Sequence, residues 1–186
     1  MEYEDLLLEK KGAIATITLN VPDKLNPTTR KMIVSLERVS DDLARDDEVR
    51  AVIVTGAGRG FCSGADVTAM AEGARGERSR YERLQLVGSS ISFLFPRLNK
   101  PVIAAVNGPC VGGGLSLALS CDIRLASETA RFGVAQILRG LVPDLGLTYY
   151  LPLVIGTSKA LELMFSAELI GAAEAERLGI VSKVVS

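Results

Sequence analysis

The 186-residue sequence contains no histidine and no tryptophan, and only 5% of its residues are aromatic. Without histidine, this sequence offers no Ser-His-Asp or Cys-His catalytic group, no histidine general base and no histidine-ligated metal site. An excess of one charge is also missing, because 21 basic and 22 acidic residues leave a net charge of −1 at pH 7. A basic excess would favour a nucleic-acid partner and an acidic excess would favour disorder, so neither class is indicated.

Cysteine is sparse as well, with Cys62, Cys110 and Cys121 in neither metal-binding nor redox spacing. We predict that each is a free, buried thiol that packs as a small hydrophobic group, which fits a reducing compartment. The acidic start of the chain, Met1–Asp5, does not resemble a signal peptide. No apolar run is long enough to span a bilayer. We therefore expect a cytoplasmic protein with no metal, membrane or nucleic-acid partner.

The sequence is 48% hydrophobic, so it can bury a sizeable core, and its length suggests one domain. Residue patterns predict strands at 6–8, 13–19, 49–55, 101–106, 122–126 and 180–185. They predict helices at 27–44, 65–71, 79–95, 113–120, 146–155, 157–165 and 172–178, the first with Asn26 as its N-cap. Because strands alternate with helices, the predicted fold class is α/β.

Two glycine-rich turns each follow a predicted buried strand. The strand at 51–55 leads into Gly56–Asp66, and the strand at 101–106 leads into Asn107–Gly114. Each turn is predicted to open a helix, whose first N–H groups lack internal partners and lie at the positive end of the helix dipole. If the two turns converge, they form a pocket with two donors for a negatively charged oxygen. Such a pocket suits enolate or tetrahedral-anion chemistry.

The glycine spacing does not fit a nucleotide site. Residues 56–60 read Gly-Ala-Gly-Arg-Gly, which lacks the G-x-G-x-x-G pattern, and no Gly-Lys-Ser/Thr follows. Glycines in such a turn often reflect only close packing of a helix on a strand. Three consecutive glycines at 112–114 lower helix stability, however, so we infer that a ligand approaches the backbone there.

The residues around these turns resemble a known family. Thr55–Asp66 resembles the first signature of the enoyl-CoA hydratase/isomerase (crotonase) superfamily, and Lys100–Leu119 resembles its second. Ala172–Val185 is similar to the segment that closes the family's core, so the likeness covers essentially the whole chain. The resemblance implies a crotonase-like α/β fold, a spiral of repeated ββα units, as a single domain over residues 1–186.

The resemblance also implies a coenzyme A thioester as substrate, with CoA as part of the substrate rather than a separate cofactor. The thioester oxygen would accept hydrogen bonds from the N–H groups of Ala65 and Gly113. The loop at Lys24 matches the family segment that lines CoA, although a solvated lysine is the alternative for that side chain. The CoA-binding residues expected from the resemblance are Lys24, Leu25, Gly64, Asp66 and Val67.

Family hydratases add water with two glutamates, and the matching positions here hold Ser116 and Gln136. Neither side chain can act as a carboxylate base, so the ordinary hydratase assignment is in doubt, although both could orient substrate or water. Asp144 lies in a segment that resembles the turn where family isomerases carry an acidic residue. We expect burial beside Val142 and Leu145 to raise its pKa into a useful range for proton transfer. The alternative is that Asp144 caps the following helix.

The preferred hypothesis is an enoyl-CoA isomerase in which Asp144 is the proton shuttle. A hydratase or hydrolase with Ser116 and Gln136 positioning water is the second hypothesis, and a non-catalytic acyl-CoA-binding protein is the third. Family members usually continue past this point through helices that pack on neighbouring subunits, and we expect that this sequence lacks them. A homotrimer or hexamer is expected only if such helices exist.

Overall fold

Nine strands form two sheets in the part of the chain that the computed structural model describes, residues 3–66 and 93–186. In chain order they are β1 (Leu6–Lys11), β2 (Ile14–Leu19), β3 (Ala51–Gly56), β4 (Val102–Val106), β5 (Pro109–Val111), β6 (Ile123–Ser127), β7 (Arg131–Gly133), β8 (Ile170–Gly171) and β9 (Lys183–Val185). The larger sheet has six strands in the order β1-β2-β3-β4-β6-β9. Only its first pair, β1 with β2, is antiparallel. Parallel neighbours need long crossover connections, which the intervening segments supply.

Helices alternate with these strands, which confirms the predicted α/β class. They are α1 (Arg30–Ala44), α2 (Gly113–Leu119), α3 (Leu147–Ile155), α4 (Thr157–Ser166) and α5 (Ala172–Leu178), with short 3-10 turns at Pro22–Lys24, Phe95–Arg97 and Gln136–Arg139. None of the helices within the described ranges is both long enough and apolar enough to cross a bilayer. Most of the helix predicted at 79–95 lies outside the described residues. The helix predicted at 65–71 does not begin at Ala65, which lies in an isolated bridge opposite Thr28.

The register of the parallel sheet places the two glycine turns side by side. Thr55 near the end of β3 lies opposite Ala105 near the end of β4. The strands form here because their β-branched residues pack one face against the core, where Val52, Val54 and Val102 are fully buried. Since the carboxyl ends of parallel strands meet at one edge of a sheet, the turns that follow β3 and β4 begin at the same edge.

Helix α1 covers one face of this sheet. Its fully buried residues Met32, Leu36, Val39 and Leu43 follow at intervals of four, three and four, which places them on one side of the helix. The helix begins after Thr29, whose side chain accepts a hydrogen bond from the N–H of Met32 at 3.0 Å. This geometry is that of an N-cap.

The prediction that Asn26 caps this helix is wrong. Asn26 has a φ of 53° and its side chain is fully buried. Its oxygen accepts from the N–H of Val21 at 2.8 Å, and its Nδ2 donates to the carbonyls of Ala57 and Gly60 at 2.9 and 2.8 Å. Asn26 therefore ties its own loop to the first glycine turn, more than thirty residues away in sequence.

The three-stranded sheet, in the order β5-β7-β8, was not predicted from the sequence. Its strands are two or three residues long, too short to show a periodic pattern. β5 pairs parallel with β7, with Cys110 opposite Phe132. The N–H of Gly112 donates to the carbonyl of Gly133 at 2.9 Å. This small sheet thus holds the second glycine turn through β5 and Gly112.

Candidate active site

The two glycine turns are in direct backbone contact. The N–H groups of Phe61 and Cys62 both donate to the carbonyl of Pro109, at 3.1 and 3.0 Å. The N–H of Val111 donates back to the carbonyl of Cys62 at 3.0 Å, and Cys62 pairs with Cys110 in a parallel bridge. The turns therefore converge, which is the condition that a pocket with two donors requires.

No side chain fits between the turns at their closest points. A Cβ atom built on Gly114 would lie 2.2 Å from the carbonyl oxygen of Cys62, and one on Gly108 would lie 2.1 Å from the carbonyl oxygen of Arg59. Both distances are far below any real Cβ contact. Bare backbone at Gly108 and Gly114 is therefore a requirement of the contact between the turns.

This contact brings the segments of Ala65 and Gly113 together. A Cβ atom on Gly64 would lie 3.4 Å from the nitrogen of Gly113, and one on Gly113 would lie 3.8 Å from the Cα of Gly64. Gly113 is the first residue of α2. Within residues 3–66 and 93–186, the N–H groups of Ala65 and Gly113 make no hydrogen bond. Two neighbouring backbone donors are thus available to a ligand.

The loop predicted to line CoA lies along the first turn. The carbonyl of Leu25 accepts from the N–H of Ser63 at 2.9 Å, and the hydroxyl of Ser63 donates to the carbonyl of Lys24 at 3.2 Å. The Lys24 side chain is exposed, Leu25 is half-buried, and Gly64 is buried immediately after Ser63. Asp66 is half-buried, and Val67 lies outside the described residues.

Ser116 joins the start of α2 to the loop before α3. It is fully buried, and its hydroxyl donates to the carbonyl of Leu145. The side chain of Leu145 in turn lies against Gly113, where a Cβ atom would be 3.1 Å from Leu145 Cδ1. The Ser116 hydroxyl is thus engaged with the protein backbone, and that contact fixes the loop next to the two donors.

Gln136 and Asp144 form a pair beside the second turn. The Nε2 of Gln136 donates to the Oδ1 of Asp144 at 3.1 Å. The Gln136 amide is buried, and a Cβ atom on Gly112 would lie 3.7 to 3.9 Å from its three terminal atoms. Its Oε1 has no hydrogen-bond partner in the described part of the chain. The carboxylate of Asp144 is therefore held one side chain away from the turn that carries Gly113.

The expected apolar burial of Asp144 is wrong. The Asp144 side chain is exposed, and Val142 is 79% exposed. Only Leu145 points inward, because the backbone adopts a φ of 52° there and turns the chain towards Gly113. The capping alternative is not observed either. Helix α3 has Gly146 as its N-cap without a side-chain cap, and Asp144 contributes only its backbone carbonyl, to Leu147 N–H at 3.0 Å.

The three thiols are free and buried, which confirms the prediction made for them. Burial raises the pKa of Cys62 to about 12 and raises the pKa values of Cys110 and Cys121 as well. They remain protonated near neutral pH, whereas a nucleophilic cysteine needs a lowered pKa. These thiols therefore behave as packed apolar groups, and their raised pKa values do not suit a nucleophile.

Sequence reasoning missed two side chains that hold the first turn. Asn107 donates from Nδ2 to the carbonyls of Gly56 and Gly58, both at 2.9 Å, and accepts from the N–H of Gly56 at 3.2 Å. Thr28 contacts Gly64. The Asn-Gly dipeptide at the end of β4 was a local signal for Asn107. Nothing local marks Thr28, since its partner is 36 residues away.

A family model described as enoyl-CoA hydratase/isomerase matches residues 9–186 of the chain, which include both turns and the Gln136–Asp144 pair. The chain belongs to this family. Its membership and its fold confirm the resemblance to the crotonase superfamily. The chain is thus a member of an enzyme family that acts on enoyl-CoA thioesters.

Individual relatives agree with the family. The chain is 41% identical to a short-chain-enoyl-CoA hydratase from Clostridium acetobutylicum over 186 residues, which is 100% of this chain and 70% of that protein. It superposes on an enoyl-CoA hydratase from Bacillus anthracis with a TM-score of 0.88 and 31% identity, over 98% of this chain and 70% of that one. It also superposes on a monofunctional enoyl-CoA isomerase from Mycobacterium smegmatis with a TM-score of 0.79 and 43% identity, over 97% of this chain and 77% of that one. Across the curated relatives compared, the chain spans 60% to 70% of their length.

Proposed function

We propose that the protein is an enoyl-CoA isomerase, which moves a carbon–carbon double bond along an acyl-CoA thioester with Asp144 as the proton shuttle. The observation that carries this proposal is the position of the Asp144 carboxylate, which Gln136 holds beside the Gly112–Gly113 turn. The family positions of the two hydratase glutamates hold Ser116 and Gln136 instead. The likeness to the monofunctional isomerase from Mycobacterium smegmatis supports the same assignment.

The proposed role of the two free N–H groups is to bind the thioester oxygen. As a proton leaves the α-carbon, negative charge develops on this oxygen, and donors already in place stabilise it without reorganisation. Loss of one such donor in an oxyanion pocket typically costs about 3 kcal/mol of transition-state stabilisation. The loop at Lys24 and Leu25, which lies along the first turn, is proposed to hold the CoA portion.

The proposed reaction needs only one carboxylate. The ionised Asp144 takes a proton from C2 of a 3-enoyl thioester, and the C–H electron pair becomes part of a conjugated enolate. The same group then returns a proton to C4, and the double bond forms between C2 and C3. Because Gln136 donates to Oδ1, that oxygen serves as an acceptor throughout and Oδ2 carries the proton.

A hydratase is the second candidate, because the relatives from Clostridium acetobutylicum and Bacillus anthracis carry that name. In that reaction Gln136, whose Oε1 is unpartnered in the described part of the chain, would accept a hydrogen bond from the added water. Neither a serine nor a glutamine side chain can itself take a proton from water at neutral pH, which is why we place this candidate second.

The test is to supply the protein with 3-enoyl-CoA and, separately, with 2-enoyl-CoA, and to identify products by chromatography and mass spectrometry. We expect 3-enoyl-CoA to become 2-enoyl-CoA, and D144N to slow this by about 10²- to 10⁴-fold. D47N, which changes an exposed aspartate after α1, is the matched control and should keep the rate. Full activity in D144N would remove Asp144 from the reaction.

The other hypotheses give different products in the same assay. Formation of 3-hydroxyacyl-CoA at a rate that does not depend on Asp144 would contradict the isomerase hypothesis and support the hydratase hypothesis. Release of free CoA thiol would indicate a hydrolase. Binding of acyl-CoA in calorimetry with no product from either substrate would indicate a non-catalytic binding protein.

A further inference from the structure

The carbonyl of Gly64 accepts two hydrogen bonds from a single residue. Thr28 donates to it from its backbone N–H at 2.8 Å and from its hydroxyl Oγ1 at 3.2 Å. Thr28 is 7% exposed and lies opposite Ala65 in a parallel bridge. The accepting carbonyl belongs to the same peptide group as the N–H of Ala65, one of the two free donors.

Hydrogen bonds to a peptide carbonyl change the other end of that peptide group. They draw electron density towards the oxygen, which makes the N–H more positive and a better donor. This cooperative strengthening is about 10–30% for each bond. They also fix the plane of the peptide, and with it the direction of the N–H. Both effects act on the Ala65 N–H through the Gly64 carbonyl.

The hydroxyl of Thr28 is not explained by packing alone. Valine has nearly the same shape, so the site could be filled without a polar atom, and a buried hydroxyl needs a partner. The carbonyl on the other side of the pocket, that of Gly112, accepts one backbone bond, from the N–H of Ser116 at 3.0 Å. The Thr28 hydroxyl lies 3.5 Å from the position that a Cβ atom on Gly113 would take. It therefore lies close both to the Gly64–Ala65 peptide and to Gly113.

We infer that Thr28 is a positioning residue for the oxyanion pocket, whose hydroxyl orients and strengthens the Ala65 N–H through the Gly64 carbonyl. The inference rests on the proposed function in one respect, the binding of a thioester oxygen by Ala65 and Gly113. It does not depend on which reaction follows. Thr28 acts through the Gly64–Ala65 peptide and has no contact with the substrate in this role.

The kinetic test compares T28V with a matched control. T28V removes the hydroxyl and keeps the shape, and T28S restores a hydroxyl. In the control, T55V, a threonine on β3 loses a bond of the same kind, from Oγ1 to the carbonyl of Ala105 at 2.9 Å. If removing a donor costs 10²- to 10³-fold, weakening it by 10–30% should lower kcat roughly two- to eightfold. We expect this loss in T28V with KM unchanged, recovery in T28S, and wild-type kcat in T55V.

A spectroscopic readout separates this inference from the identity of the reaction. Butyryl-CoA labelled with ¹³C at the thioester carbonyl is saturated, so no double bond can move. Its isotope-edited infrared stretch should fall in frequency on binding to the wild-type protein, and fall less with T28V. An equal shift in T28V and wild type would overturn the role of Thr28. No shift in the wild type would instead overturn the proposed pocket. Thermal unfolding of T28V and T55V shows whether each variant is folded.

Discussion

The two N–H groups that are proposed to bind the thioester oxygen arise in different ways. Gly113 begins helix α2, and the first N–H groups of any helix lack an internal acceptor. Ala65 is in no helix but lies in a single bridge opposite Thr28, and the preceding carbonyl is bonded to that residue. One donor thus follows from regular secondary structure. The other depends on residues far away in sequence, so it is the one that distant mutations should disturb.

The largest expected effect comes from removing the helical donor. Proline is tolerated at the first position of a helix, where its missing N–H has no internal partner. G113P should therefore fold and lose about 10²- to 10³-fold in kcat, because one oxyanion donor is gone. Double-bond migration in 3-enoyl-CoA provides the measurement.

The control for G113P is G113A, which adds a methyl group near Leu145 Cδ1 but keeps the N–H. Circular dichroism shows whether both variants retain their secondary structure. If kcat of G113P stays within about threefold of that of G113A, the Gly113 N–H has no part in catalysis. Gly113 could then no longer be paired with Ala65 as an oxyanion donor.

The second effect concerns the loops that hold the first turn. Asn26 is fully buried with three hydrogen bonds, whereas Asn107 is only partly buried. N26A should lower the free energy of unfolding by about 3 kcal/mol, because buried backbone groups of Val21, Ala57 and Gly60 lose their partner. N107A should lower the free energy of unfolding by about 1 kcal/mol, since water can replace some of the hydrogen bonds that the Asn107 side chain makes. Urea unfolding at pH 7 measures both, and equal costs would contradict the difference in burial.

The smallest effect, taken per pH unit, is a pH dependence of stability from the thiols within the two turns. Burial raises the pKa of Cys62 to about 12 and raises that of Cys110, so the folded state keeps these protons where the unfolded state loses them. The unfolded state then binds fewer protons, and stability falls as pH rises above about 8.5. Between pH 7.5 and 9.5 each thiol should lower the free energy of unfolding by about 1.4 kcal/mol in total, because the unfolded thiol, with a pKa of about 8.5, loses its proton gradually over this range.

Unfolding free energies of C62A and C110A between pH 7.5 and 9.5 test this thiol contribution. In each variant the free energy of unfolding should decline less steeply with rising pH than in the wild type. The difference from the wild type should be the same for C62A and C110A. A decline as steep as that of the wild type would show that the replaced thiol does not titrate in this way.

The parts of the fold that could be predicted are those with local signals. The β-branched runs of β3 and β4 and the glycines after them predict two buried strands, each followed by a tight turn, and the structure has both. The small sheet could not be predicted, because two or three residues carry no period. Asn26 reads locally as a helix cap before Pro27, but its partners Ala57 and Gly60 are brought near only by the tertiary fold.

The candidate site also depends on contacts that have no local sequence signal. The neighbours Val142 and Leu145 indicate an apolar surrounding for Asp144 only if both point inward, and a positive φ at Leu145 sends the two in different directions. The bond from Gln136 to Asp144 links residues eight apart across a turn and has no sequence signature. The roles proposed for Ala65, Gly113 and Asp144 remain predictions that the variants above can test.

The backbone contact between Gly114 and Cys62 has a consequence for redesign. Because no side chain separates the two turns there, the spacing between them is set by the thickness of the main chain. Residue choice elsewhere has no means of widening or narrowing it. In the proposed site, substitutions at surrounding positions should therefore change the preference for the acyl chain while the spacing of the two proposed oxyanion donors stays constant.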